Sequence, residues 1–374
     1  MLHAIQSIYT TNLGIRRDER VLVFTDRISS RESVDERDCC RRDRLRDISL
    51  LTAEVGKSFA KKLSYLEYEA PGSHGVEPPR DLWEAAFGKR AVKALDDEGL
   101  LSPLLKKEIG SDDLSRVEAI IKRQSRSSVD AVIALSNYST SHTRFRDLLT
   151  RICGCRYASM PLFDASMIEG PMSVDWKTPR KRTVAVAKVV DKAVKVEIKT
   201  PNGTDLTLSK QGRKALPDTG ILTKEGSFGN LPAGEVYLAP CEGTAQGKLV
   251  LDWAPTRALA SPVTLTIRDG SVEEVAGDEP YAVTLRKKIG ERQENRNIAE
   301  LGIGTNDRAL RPDNILESEK ILGTIHIALG DNSSFGGTVK TPFHQDFIFF
   351  RPTVTLIMKD GTKTVLLKNG SMVI

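Results

Sequence analysis

Apolar and polar residues follow two different patterns along the chain, and the change between them divides it into two parts. In the first part, the short apolar runs Val21–Thr25 and Ala131–Leu135 are typical of buried strands. Apolar residues at helical spacing predict helices over Ile48–Leu63 and Leu82–Leu95. The other predicted elements of this part are a strand over Ser64–Ala70 and helices over Asp112–Arg126 and Thr143–Ile152. Strands that alternate with helices indicate an α/β domain around a parallel sheet.

Strand patterns dominate the second part of the chain. The segment 168–183 combines two prolines, a glycine and a basic cluster, which is typical of a domain boundary. Beyond it, alternating runs flank Asn202-Gly203, Asp269-Gly270 and Asp360-Gly361, the signal of β-hairpins. We therefore predict an α/β domain with a parallel sheet over residues 1–175. We predict a β-rich α+β domain over residues 176–374, with strands over Thr183–Thr200 and Thr204–Leu208 and a helix near Pro280–Arg296.

The composition of the chain argues against several functional classes. The 374 residues are 40% hydrophobic, which is enough for a sizeable core, and the formal net charge is only +5. Without a concentrated basic face, the chain is not expected to bind nucleic acid. Its apolar runs are far shorter than the roughly 20 residues of a membrane span, and its first residues do not resemble a signal peptide. We expect a cytoplasmic protein that does not bind membranes and whose five cysteines are reduced thiols.

Several common catalytic and cofactor motifs are absent. The sequence has no phosphate-binding G-x-x-x-x-G-K-[ST] loop, and no dinucleotide-binding G-x-G-x-x-G follows its first strand. It also lacks the H-E-x-x-H and G-x-S-x-G motifs of metalloproteases and serine hydrolases. Any chemistry must come from a less common arrangement of residues.

Two of the five histidines lie close together near the end of the chain. In His344-Gln345-Asp346, alternation along a strand directs the imidazole and the carboxylate to the same side. His326 interrupts an apolar strand between Gly323 and Gly330, where a hydrogen-bonded core histidine is the simplest interpretation. Its position eighteen residues before the H-x-D pair favours a shared metal site, since imidazole nitrogens and carboxylate oxygens both bind divalent ions.

Two glutamates have the same unusual surroundings. Glu235 and Glu300 each lie among glycine and apolar residues, where a carboxylate is rarely buried unless it is paired or bound to a metal. The alternative is that each pairs with a nearby arginine such as Arg292, Arg296 or Arg308. The complete candidate set is Glu235, Glu300, His326, His344 and Asp346. Two imidazoles and three carboxylates are enough for two divalent ions with a bridging carboxylate, a site that can activate water for hydrolysis.

Four segments resemble the aminopeptidase T family of metalloaminopeptidases: Ser227–Pro240, Asn297–Asn306, Ile321–Gly337 and Phe343–Phe347. The resemblance implies two domains, a homodimer, a peptide substrate and two zinc, cobalt or manganese ions. It implies that Glu235, Glu300, His326, His344 and Asp346 are the metal ligands. It also implies removal of N-terminal residues from peptides. Such a hydrolysis uses a carboxylate as general base, and Glu235, Glu300, Glu317 or Glu319 could take that role.

The sequence departs from the family pattern at one ligand, which leaves other functions open. The family has a tyrosine shortly after the first histidine, but Asp331–Phe335 contains none, and Asp331, Asn332 or Ser333 could replace it. The chain also resembles the 2,5-dihydroxypyridine 5,6-dioxygenases, which look like the same fold but with a single Fe(II). For that ion, His326, His344 and Asp346 would form the 2-His-1-carboxylate set of non-haem iron oxygenases. A non-catalytic relative that retains one structural metal is the third possibility.

Overall fold

The computed structural model describes residues 1–373 and divides them into two compact units. The first unit comprises Met1–Ser173 together with Gly220–Pro232, and the second comprises Val174–Thr219 together with the described residues from Ala233 onward. No pattern in the sequence indicates that the short segment Gly220–Pro232 belongs to the first unit.

The helices and strands are numbered along the chain. The helices are α1 (Leu2–Ser7), α2 (Glu36–Gly56), α3 (Arg80–Phe87), α4 (Lys89–Asp97), α5 (Leu101–Leu105), α6 (Ser111–Gln124), α7 (Arg144–Asp147), α8 (Ser166–Glu169), α9 (Lys177–Val190), α10 (Pro280–Gly290) and α11 (Ile315–Ser318). The strands are β1 (Arg20–Arg27), β2 (Lys62–Glu69), β3 (Ala131–Ala134), β4 (Arg156–Ser159), β5 (Ala193–Lys199), β6 (Asp205–Ser209), β7 (Leu216–Asp218), β8 (Phe228–Asn230), β9 (Glu235–Leu238), β10 (Gln246–Ala254), β11 (Arg257–Arg268), β12 (Ser271–Ala276), β13 (Ile298–Gly304), β14 (Ile325–Gly330), β15 (His344–Phe349), β16 (Thr353–Met358), β17 (Lys363–Lys368) and β18 (Ser371–Met372).

A parallel sheet forms the centre of the first unit. Its strand order is β2-β1-β3-β4-β8, and each neighbouring pair is parallel. The run Val21–Phe24 in β1 and all of β3 are fully buried, as expected for a parallel sheet whose faces are both covered. The α/β prediction for this part of the chain is confirmed.

Two antiparallel sheets form the second unit. One has eight strands in the order β12-β11-β10-β6-β5-β16-β17-β18, and the other has five in the order β15-β14-β13-β9-β7. One apolar core contains side chains from both sheets, such as Val196 and Leu249 from the first and Leu301 and Ile327 from the second. The prediction of a β-rich second part is confirmed, including the Asp269-Gly270 turn, where both residues have positive φ.

Three local predictions are wrong. Thr183–Val190 belongs to helix α9 rather than to a strand, because its buried residues Thr183, Val186, Ala187 and Val190 follow helical spacing. The helix predicted over Ile48–Leu63 has other bounds, because α2 begins at Glu36 after Asp35, whose side chain accepts the Asp38 N–H, and ends at Gly56. The segment predicted as one helix over Leu82–Leu95 is two helices, separated at Gly88 with φ +89°.

The described residues, Met1 to Val373, include no helix that is both long enough and apolar enough to cross a membrane. All five cysteines have free thiols.

Candidate metal centre

All five predicted ligands lie on one face of the five-stranded sheet. His344 and Asp346 alternate on β15, and the other three ligands are one each from β9, β13 and β14. Strand register places them side by side, since Glu300 on β13 is paired with Ala328 on β14, which is itself paired with Asp346 on β15. His326 lies two residues before Ala328, on the same face of β14, and is paired with Gly302. The intervening residues Leu301, Ile327 and Phe347 belong to the apolar core. Strand alternation therefore separates a polar face with metal-ligating side chains from an apolar face that holds the unit together.

Small residues between the ligands leave room for their side chains. Gly302 lies directly opposite His326, and a Cβ at this position would be 1.9 Å from Nε2 of the His326 ring. Ala328 and Gly330 occupy the other positions of β14 that alternate with His326. The glycine-rich context seen in the sequence thus has a steric cause, because a larger residue at position 302 would displace an imidazole.

The five candidate ligands form two groups that share Glu300. In each group, one ligand atom per residue lies within 4.8 Å of those of the others: Glu235, Glu300 and His326 form one group, and Glu300, His344 and Asp346 form the second. Glu300 Oε1 is 3.3 Å from His326 Nε2, while Glu300 Oε2 is 3.5 Å from His344 Nε2. A single carboxylate thus lies between the two imidazoles.

We call the first of these the closed group, because its members are almost completely buried. The side chain of His326 is 2% exposed, and its Nε2 lies 3.4 Å from Glu235 Oε2. A fully buried lysine, Lys320, places its Nζ 2.7 Å from Glu235 Oε1 and 2.6 Å from Glu319 Oε2. Sequence reasoning missed Lys320, and it treated Glu319 only as a possible base. Neither residue has a local signal, since both lie in the turn before β14.

We call the second the open group, because solvent reaches it. The side chain of His344 is 26% exposed and that of Asp346 is 10% exposed. The Nε2 atom of His344 lies 3.4 Å from Asp346 Oδ2. The other ring nitrogen, Nδ1, donates to the Asp331 carbonyl at 2.8 Å. That hydrogen bond fixes the ring orientation and leaves Nε2 available to a metal, the usual arrangement of a metal-binding histidine.

The loop after β14 contributes an aromatic ring beside the open group. The Phe335 ring packs edge-on against His344, with centroids 6.1 Å apart, and against Tyr237 at 5.8 Å. Buried Asn332 anchors this loop, because its amide nitrogen donates to Glu242 and its oxygen accepts the Val339 N–H. Sequence reasoning did not select Phe335 or Tyr237, which meet only through the fold.

Asn332 and Ser333, two of the residues that could replace the family tyrosine, make other contacts, as does the acidic candidate Glu317. Asn332 binds Glu242, and Ser333 is exposed and donates to the Asp331 carboxylate. Glu317 is buried and accepts the backbone N–H groups of Leu310 and Arg311, so it organises a loop.

Charge and burial shift the pKa values of these groups in opposite directions. Burial disfavours a protonated His326, but Glu300 and Glu235 outweigh it and raise the pKa of His326 to about 9. Burial likewise opposes protonation of His344, yet Asp346 and Glu300 raise the pKa of His344 to about 10. Although burial alone would raise the pKa of Asp346, His344 lowers it to about 2. Burial raises the pKa of Glu235, an effect that Lys320 counteracts.

The donor set fits a divalent metal ion. Imidazole nitrogens and carboxylate oxygens are the ligands that zinc, manganese and iron(II) sites use. The buried Glu235 Oε2 has no hydrogen-bond partner, which is costly unless a cation or another partner is bound. The 2-His-1-carboxylate set of His326, His344 and Asp346 stays a prediction: in the described chain it is not one of the groups that converge within 4.8 Å, because Glu300 lies between the imidazoles.

Two solved structures resemble the whole chain. The structure of a 2,5-dihydroxypyridine dioxygenase from Pseudomonas putida KT2440 matches with a TM-score of 0.68 and 18% identity, covering 100% of this chain and 96% of the other. Wild-type AmpT, an aminopeptidase T, from Thermus thermophilus matches with a TM-score of 0.58 and 15% identity, covering 100% and 98%. Each match shows a shared fold. The two matched proteins are named for the two enzyme activities considered from the sequence.

Sequence comparisons favour one of these two functions. A curated 2,5-dihydroxypyridine 5,6-dioxygenase of Pseudomonas putida is 24% identical over 183 residues, which are 45% of this chain and only 52% of that relative. The aminopeptidase T resemblance is therefore supported at the level of the fold, whereas the dioxygenase alternative has the stronger sequence support. The family model of the 2,5-dihydroxypyridine 5,6-dioxygenases matches residues 172–373, more than half of the chain, and the chain belongs to that family.

Proposed function

We propose that this protein is an Fe(II)-dependent dioxygenase that opens a hydroxylated aromatic ring, with hydroxylated pyridines as the first substrates to test. The observation that carries the proposal is the family match over residues 172–373, because that region contains all five candidate ligands. The proposal adopts the alternative function inferred from the sequence and places the aminopeptidase second.

The open group is our candidate for the iron site. Glu300, His344 and Asp346 converge there, and the partial exposure of His344 leaves a side from which substrates can approach. Bound Fe(II) with open coordination positions supplies activation of dioxygen, the chemistry of non-haem iron oxygenases. The Asp331 carbonyl orients the His344 ring, and His326 Nε2 holds Glu300 from its other side at 3.3 Å.

Two aromatic rings beside the open group support an aromatic substrate. Phe335 and Tyr237 are both partly exposed, and Phe335 contacts the edge of His344. Aromatic rings attract one another in offset or edge-to-face arrangements, which adds about 0.5–1.5 kcal/mol for each pair. We propose that these two side chains orient the substrate ring and keep water away from it.

A metalloaminopeptidase is the second candidate function, and one feature of the site favours it. Glu300 belongs to both groups, as a carboxylate that bridges two divalent ions would. In that function the second ion would bind Glu235 and His326, and the substrate would be a peptide. The homodimer that the aminopeptidase resemblance implies, and the cytoplasmic location, both remain predictions.

Oxygen uptake by anaerobically purified, Fe(II)-loaded protein distinguishes the two functions. We expect stoichiometric oxygen consumption and loss of the ring absorbance with 2,5-dihydroxypyridine, and no hydrolysis of dipeptides in the presence of zinc, cobalt or manganese. Asp346→Asn should abolish the reaction, whereas Glu274→Gln, a change at an exposed carboxylate on β12, should not affect it. Metal-dependent dipeptide hydrolysis without oxygen uptake would reverse the assignment.

A further inference from the structure

The closed group already contains one fixed positive charge. Lys320 has no exposed side-chain surface, and its Nζ lies within hydrogen-bond distance of both Glu235 and Glu319. Lysine is almost never fully buried unless it is paired, because removing its charge from water is costly. Since the two carboxylates hold this ammonium in place, it is a permanent part of the site.

The other metal-binding atoms of the closed group include a carboxylate oxygen that lacks a hydrogen-bond partner. Glu235 Oε2 is buried without a hydrogen-bond partner, and His326 Nε2 lies 3.4 Å from it. Glu300 Oε1 is 3.3 Å from the same nitrogen. These ligands would suit a divalent ion, but such an ion would lie close to the Lys320 ammonium and be repelled by it.

We propose that Lys320 acts as a built-in cation in place of a second metal ion, so that the chain binds one divalent ion, in the open group. This inference rests on the proposed function for the use of the open group, but it does not depend on which reaction follows. Lys320 is thus a positioning residue, which balances the charge of Glu235 and holds it beside His326.

The proposal predicts that a neutral side chain at position 320 creates a second metal site. Lys320→Met keeps the length of the side chain but removes the ammonium partner of Glu235 and Glu319. Glu235 then lies beside His326 without a compensating cation. Glu235, Glu300 and His326 converge there, and two carboxylates with an imidazole form a typical divalent-ion site. The Met variant should therefore be destabilised without metal and should recover when metal is added.

Metal stoichiometry tests this directly. Each protein is stripped of metal, dialysed against saturating Co(II), and analysed for bound cobalt per chain, with the cobalt absorption spectrum as a second readout. We expect one ion in the unchanged protein and two in Lys320→Met and Lys320→Gln, with Co(II) raising the thermal midpoint of both variants by more than it raises that of the unchanged protein. Lys320→Arg retains the charge and should bind one ion.

Lys210→Met is the matched control. Lys210 is also buried in the second unit, but its Nζ donates to the Ala193 carbonyl rather than to a carboxylate. Its replacement should leave the stoichiometry at one. Two ions in the unchanged protein, or a single ion in a folded neutral variant, would overturn the proposal. Because cobalt binding is counted without turnover, failure of this inference is separable from failure to open a ring.

Discussion

The two groups that share Glu300 differ in what balances their negative charge. In the closed group, a buried lysine lies against Glu235, and the His326 side chain is only 2% exposed. In the open group, no lysine contacts Asp346 within salt-bridge distance among residues 1–373, and His344 is 26% exposed. The same face of one sheet therefore combines a half that carries its own cation with a half that is accessible to an external one.

Under the role proposed for Lys320, this difference decides how many divalent ions the site binds. A site with two divalent ions and a site with one can use the same five ligand positions, depending on the charge beside Glu235. The following predictions test the contrast between the two groups, beginning with the largest expected effect.

Removal of His344 should have the largest effect, because it contributes the imidazole of the open group. We expect His344→Ala to weaken metal binding by more than about a hundredfold, since loss of even an outer partner of a metal ligand costs roughly 10–100-fold. Titration with Co(II) followed by absorbance measures this loss. The same substitution at the exposed His3 should not change binding. Full metal affinity in the His344 variant would exclude the open group as the iron site.

Metal affinity should increase with pH. Because the pKa of His344 is raised to about 10, its imidazole is protonated at neutral pH and must lose that proton to bind a metal. Affinity should therefore rise about tenfold per pH unit between pH 6 and 9 for each proton released. Calorimetry in buffers of different ionisation enthalpy counts the protons. Release of one proton fits binding to the open group alone, and release of two would mean that His326 also binds metal.

Gly302→Ala should disturb the closed group first. The new Cβ would clash with the His326 ring, so the imidazole has to move, at a cost of about 1–3 kcal/mol in the free energy of unfolding. Thermal or urea unfolding measures the change. Gly290→Ala at the end of α10, where a Cβ contacts no other residue, is the control and should unfold like the parent protein. Equal stability of the two variants would contradict the packing described here.

Phe335→Ala should have the smallest effect and should change substrate binding more than turnover. Loss of one aromatic contact of about 1 kcal/mol raises KM about fivefold while kcat changes little. Steady-state oxygen uptake separates the two constants. Phe350→Ala removes another partly exposed aromatic ring, which packs on Trp253, and should leave both constants unchanged. A large fall in kcat with constant KM would show that Phe335 supports the metal site instead.

Local patterns were enough to select the candidate ligands, but they did not show how these residues are grouped. His344 and Asp346 could be paired from the sequence because a strand repeats every two residues. Glu235 and Glu300 could be selected because they lie among glycines and apolar residues. That Glu300 lies between the two imidazoles depends on the register of β13 against β14, which no nearby residue specifies.

The residues that were missed have their roles only through contacts between distant segments. Lys320 contacts Glu235, which lies 85 positions earlier in the sequence. Phe335, in the loop after β14, contacts Tyr237 on β9. A similar limit explains the error at Thr183–Val190. Its β-branched residues alternate like a strand, but packing of one helical face against the core determines its structure.

Because Gly302 has no side chain, substitutions at positions 302 and 326 are expected to depend on each other. Its space is filled by the His326 ring, so a descendant that acquires any larger residue at 302 must also lose or move the imidazole. Glycine at position 302 and histidine at position 326 should therefore occur together in relatives. A sequence in which both have changed would mark a branch that has abandoned the closed group.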